Sequence, residues 1–91
     1  MCRNDLTQSQ KAVQSAHAIA EYLIKNPETK WDNGTMVLLT VENEDILIRT
    51  KNILEMKGNN VVYFREPDID NQMTAFALVS DKRILNKCKL L

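Results

Sequence analysis

The chain has 91 residues, with twelve Lys and Arg against twelve Asp and Glu and a formal net charge of zero. That length fits one domain over residues 1–91 and excludes multidomain mechanisms. Balanced charge excludes whole-chain attraction to phosphate backbones or anionic membranes, and 44% hydrophobic with 26% charged residues is a globular rather than a disordered composition.

Taken in chain order, Thr7 and Gln10 have capping-box spacing and predict a helix starting near Ser9. Ala12, Val13, Ala16, Ile19, Ala20, Leu23 and Ile24 then recur at helical period and are expected to form its buried stripe. Asn26-Pro27 ends it, because the residue before proline is pushed out of the α region. Residues 30–34 read as a turn. The run Thr35-Met36-Val37-Leu38-Leu39-Thr40-Val41, with almost no polar alternation, predicts a strand covered on both faces. Asn43 caps a second helix with Glu44 and Asp45 in its first turn, Ile46, Leu47, Ile53 and Leu54 on its buried side, and Gly58 just past its end. Residues 61–64 predict a third element, a strand, followed by the acidic loop Glu66 to Asn71. Residues 74–79 predict another strand, and Asp81 caps a short helix through Leu85. Alternating helices and strands imply an α/β fold.

No apolar run approaches the roughly 18 to 20 residues needed to span a bilayer. Met1 to Asp5 does not start a secretory signal, so a cytoplasmic location is expected. Cys2 and Cys88 show no CxxC spacing and His17 is the single histidine, which leaves a structural zinc site without ligands. A disulfide scaffold is not expected, and no cofactor motif is present: Walker and GxGxxG loops are both missing.

Charge is uneven along the chain, and residues 71–91 carry four basic groups and one acidic group. Lys82, Arg83, Lys87 and Lys89 are therefore candidates for phosphate contact, against the alternative of a solvated helix face. Helical spacing puts Gln10, Gln14, His17 and Glu21 on one polar stripe bordering the apolar one, with His17 half sheltered. A histidine there serves as a proton shuttle or hydrogen-bond donor, or else simply satisfies a backbone carbonyl. Arg3 and Asp5 precede the first helix, where an anion would meet exposed amides, or they form a surface ion pair.

Arg3-Asn4-Asp5-Leu6 followed by Lys11-Ala12-Val13-Gln14-Ser15-Ala16-His17-Ala18 resembles the start of the type-2 peptidyl-tRNA hydrolase family, in which a strand ending in R-x-D-L leads to a helix bearing Q-x-x-H-A. The order of later elements and the ending Lys89-Leu90-Leu91 are similar as well. The resemblance implies a three-layer α/β/α domain with a mixed, roughly four-stranded sheet, here with its first strand truncated. It also implies hydrolysis of the ester between peptide and tRNA. By it, His17, Glu66 and Asp5 would be catalytic, and Arg3, Lys11, Gln14, Thr74, Lys82 and Arg83 would bind substrate. The family's lysine- and glycine-rich segment before the helix is here Thr7-Gln8-Ser9-Gln10, with Lys11 about 100° from the Gln10/His17 stripe.

Two other readings accompany it. One is a small homo-oligomeric, phage-type protein that sequesters or cleaves a nucleotide, such as a cyclic dinucleotide, in a remodelled pocket. The other is a non-catalytic interaction domain with Trp31 and Tyr63 as anchors. The partners expected are therefore tRNA or a small nucleotide, together with a second copy of the chain in a homodimer or higher oligomer, and no membrane.

Overall fold

A computed structural model describes residues 1–31, 34–80 and 88–91. In chain order they form β1 (Cys2–Arg3), α1 (Gln8–Lys25), β2 (Leu39–Val41), α2 (Glu44–Met56), β3 (Val62–Glu66), a 3-10 turn (Pro67–Ile69), β4 (Gln72–Ala77) and β5 (Lys89–Leu90). The strands make one mixed sheet in the order β3-β4-β1-β2-β5. β1 runs parallel to β2, while the other neighbours are antiparallel. The fold class is thus α/β, as expected, with a fifth strand the sequence did not suggest. Two-residue β1 is central, and Met1 extends its pairing by accepting from the Phe76 amide at 2.9 Å.

Local chemistry sets the helix ends. Thr7 Oγ1 accepts from the Gln10 amide (3.1 Å) while the Gln10 side chain accepts from the Thr7 amide (2.9 Å), closing the expected capping box. Asn26 caps the other end, immediately before Pro27. Asn43 Oδ1 accepts from the Ile46 amide at 3.1 Å and starts α2, and Gly58, at φ +90, leaves it in a conformation that side-chain-bearing residues rarely adopt.

A β-bulge divides the sheet's two faces. Phe64 lies opposite Ala75 but Arg65 lies opposite Met73, so Thr74 is an extra residue in β4. Without it, strand alternation would send Met73 and Ala75 to one face. Instead Met73 and Phe76 both pack with Leu47 and Leu54 of α2, whereas Ala75 packs with Ala18 of α1 and Thr74 bonds to Gln14 of α1. α1 and α2 therefore cover opposite faces, each with its own apolar cluster. The Met73 amide is held by Glu44 Oε2 at 2.8 Å, which fastens the bulge to the first turn of α2.

Three expectations need correction. The sheet-facing arc of α1 is Gln14, Ser15 and Ala18, not the apolar stripe, of which Ala12, Val13, Ala16, Ala20, Leu23 and Ile24 are exposed. Only Leu39–Val41 of the 35–41 run is strand; its neighbours β1 and β5 are two residues each and offer no longer ladder, and Met36, Val37 and Leu38 are exposed. On α2, Leu47 and Leu54 are buried but Ile53 is exposed. The helix expected at residues 81–85 lies outside the described residues, as do Lys82, Arg83 and Lys87. Among the described residues, no helix is long and apolar enough to cross a membrane.

Candidate functional site

The bulge gives the site its geometry. By turning Thr74 toward α1, it brings the hydroxyl to Gln14, to which Thr74 Oγ1 donates at 2.6 Å. Gln14 Nε2 in turn donates to Glu66 Oε1 at 2.8 Å. Three elements, α1, β3 and β4, are thus joined by one chain of side-chain hydrogen bonds, with Thr74 and Gln14 buried. Buried amides and hydroxyls are costly unless paired, and here both ends of the Gln14 amide are used.

One step along the same interface, the His17 ring stacks on Phe64 with centroids 4.3 Å apart and planes 2° from parallel. The pairing follows from spacing: residues i and i+3 share a helix face, residues i and i+2 share a strand face, and α1 matches Gln14 to Glu66 and His17 to Phe64. His17 is exposed rather than half sheltered, since the apolar stripe expected to flank it faces solvent. Its imidazole makes no hydrogen bond among the described residues.

A recess of about 320 Å³ lies beside this chain, lined by Ser9, Gln10, Val13, Gln14, Glu66, Asp68 and Ile69. Glu66 Oε1 is taken by Gln14, while among the described residues Oε2 has only a long contact of 3.5 Å from the Asp68 amide. The acidic loop is shaped by the 3-10 turn and by Asp70 and Asn71 at φ 48 and 57, residue types that tolerate the left-handed region. A larger hollow of about 760 Å³, bordered by Tyr22, Trp31, Leu38, Leu78 and Leu90, contains none of the candidate catalytic or substrate-binding residues among those described. The smaller recess is the one with chemistry.

Arg3 and Asp5 are placed differently. Arg3 Nε and Nη2 each donate to one Asp5 oxygen at 2.9 Å, and Nη1 donates to Gln72 Oε1 (2.7 Å) and the Met73 carbonyl (3.4 Å). The hydrogen bonds to Arg3 hold the Asp5 carboxyl below its ordinary range, and the same pairing raises the buried guanidinium's pKa. The pair ties β1 to β4 and has no hydrogen bond to the Gln14 chain. Lys11 Nζ donates to Asn4 Oδ1 at 2.9 Å. Cys2 and Cys88 are free thiols, and burial pushes the Cys2 thiol up, away from the thiolate. Among the described residues no group of three His, Cys, Asp or Glu comes together as a metal site.

Sequence reasoning missed Phe64, Glu44 and Gln72 as partners. Phe64 had a signal, because it shares strand parity with Glu66. Glu44 and Gln72 had none, because their roles depend on the bulge and on the length of the Arg3 side chain. Comparison with protein-family models gives no match, and neither does comparison with curated proteins.

Proposed function

We propose that the chain is a peptidyl-tRNA hydrolase-like domain that cleaves the ester joining a peptide to tRNA. The observation that carries this reading is the Thr74–Gln14–Glu66 hydrogen-bond chain with His17 one step away. Gln14 and His17 lie in the Q-x-x-H-A motif through which the sequence resembles that family, Glu66 stands where the family usually has a loop Asp, and Thr74 lies near its following Thr. Glu66 Oε2, at the recess, is the acceptor that takes a proton from water. The hydroxide equivalent adds to the ester carbonyl, the bond to the ribose oxygen breaks, and that oxygen takes a proton from His17; Glu66 then releases the proton it took to solvent, from which His17 is reprotonated. Gln14 and Thr74 do not themselves transfer protons; they fix the Glu66 carboxylate. Water is the co-reactant and no cofactor enters the reaction.

The tRNA phosphates would meet Lys11 together with Lys82 and Arg83, since the Arg3 guanidinium is engaged by Asp5 and Gln72. The setting proposed is cytoplasmic. Incubation with N-acetylated aminoacyl-tRNA tests the reading: the wild type releases the acyl group and His17→Ala is at least about 100-fold slower, the scale of a lost acid–base group. A folded wild type that binds tRNA but releases nothing would overturn it.

The parallel His17–Phe64 pair favours a second reading, a module that sequesters or cleaves a nucleotide, because the exposed imidazole face presents a flat surface on which a base can stack. A thermal shift with a cyclic dinucleotide that vanishes in His17→Ala would support it, and no shift would count against it.

A further inference from the structure

The extra residue of a β-bulge has no partner opposite it, so the ladder alone leaves the direction of Thr74 open. Charged side chains close that gap. Met73, the residue before Thr74, donates its amide to Glu44 Oε2 at 2.8 Å, and its carbonyl accepts from Arg3 Nη1 at 3.4 Å. A residue has only two soft backbone dihedrals, and holding the peptide unit on either side of it fixes both. The Met73 carbonyl lies in the peptide that joins Met73 to Thr74, so the two contacts bear directly on where the Thr74 side chain leaves β4. That side chain is fully buried, with Oγ1 2.6 Å from Gln14 Oε1.

The two contacts differ in their backing. Arg3 is itself held by both Asp5 oxygens and by Gln72 Oε1. Glu44 reaches Met73 from α2, on the face of the sheet opposite α1, and its carboxylate makes no other hydrogen bond among the described residues. The Asn43 cap sets the helical turn from which Glu44 extends, and an ionised acceptor makes its bond to the amide the stronger of the two.

From this juxtaposition we infer that Glu44 is a positioning residue for the proposed reaction, acting across the sheet through the Met73 backbone and Thr74 to hold Gln14 and so aim the Glu66 carboxylate. The path is continuous: Glu44 to the Met73 amide at 2.8 Å, Thr74 to Gln14 at 2.6 Å, and Gln14 to Glu66 at 2.8 Å. Glu44 does not line the recess, so it aims the carboxylate without touching what binds there. The inference rests on the hydrolase reading for its chemistry and on these contacts alone for its geometry.

Three variants of the full chain test it. Glu44→Ala removes the acceptor. Glu44→Asp keeps the charge favourable to the first turn of α2 but is one methylene short of Met73, and it serves if the alanine variant fails to fold. Glu44→Gln keeps both the reach and an acceptor oxygen. Two quantities are read: the deacylation kinetics on N-acetylated aminoacyl-tRNA, and the assigned side-chain amide signals of Gln14 in nitrogen–proton correlation spectra. In Glu44→Ala and Glu44→Asp, kcat should fall about 10- to 100-fold, the scale of a displacement near 1 Å, with KM unchanged and the Gln14 signals moved. Glu44→Gln should recover most of the rate and return the Gln14 signals.

Unmoved Gln14 signals in a folded Glu44→Ala or Glu44→Asp would overturn the inference. So would a full kcat in a variant whose signals have moved, or a loss confined to KM. A wild type that releases nothing would overturn the hydrolase reading alone, and the Gln14 signals then decide whether Glu44 holds the chain of bonds.

Discussion

Gln14 has both ends of its amide engaged, accepting from Thr74 and donating to Glu66, and both Gln14 and Thr74 are buried. Removing the Thr74 hydroxyl leaves the Gln14 carbonyl unpaired, so Thr74→Val should cost about 1–3 kcal/mol, read as a lowered urea midpoint at unchanged m-value. Gln14→Ala should cost more, since it strips two partners at once and opens a cavity. An unchanged midpoint in both variants would mean the chain of bonds contributes nothing to the fold.

Asp5 makes a pH-dependent contribution of definite sign. Its folded-state pKa lies below its ordinary value because Arg3 donates to both oxygens, so folding favours the ionised form. The resulting stability is fully present above the unfolded value of about 3.9 and is lost as pH falls through the lower, folded value. Urea midpoints of wild type and Asp5→Asn should therefore differ by a constant amount above about pH 5 and converge in acid. A gap that widens on acidification would contradict the assignment.

Among the elements, β4 does the most to place chemistry, through one extra residue. Glu44 Oε2 takes the Met73 amide next to the bulge, so Glu44→Ala leaves that donor unpaired and should destabilise by about 1–3 kcal/mol. Glu44→Gln, which keeps a carbonyl acceptor, should cost less in the same denaturation series.

Helix ends were legible in the sequence because caps are local: Thr7 with Gln10 and Asn43 with the first turn of α2 act within three residues. Which arc of α1 faces the sheet was not legible. Periodicity ranks faces by apolar content, whereas this helix buries Gln14 and Ser15, whose polar groups find partners only in the tertiary structure. β5 was invisible for a similar reason, since a two-residue strand exists only through its pairing with β2. Gln14, His17, Glu66 and Thr74 were named from motif order, yet the bulge that unites them arises from the pairing of β3 with β4.

At the scale of the whole molecule, a short central strand and two separate apolar clusters leave the candidate recess at one edge of the α1 face, beside a charge-free helix surface. The proposed catalysis requires only that Glu66 be an ionised acceptor in that recess and that His17 be free to give up a proton. The most direct measurement is the initial rate of deacylation of N-acetylated aminoacyl-tRNA by wild type and by Glu66→Gln, which has nearly the same shape but no carboxylate. The expected result is measurable release by the wild type and a rate lower by about 100-fold or more in the folded variant. Equal rates would contradict the role given to Glu66 and, with it, the placing of the chemistry at the Gln14–Thr74–Glu66 chain.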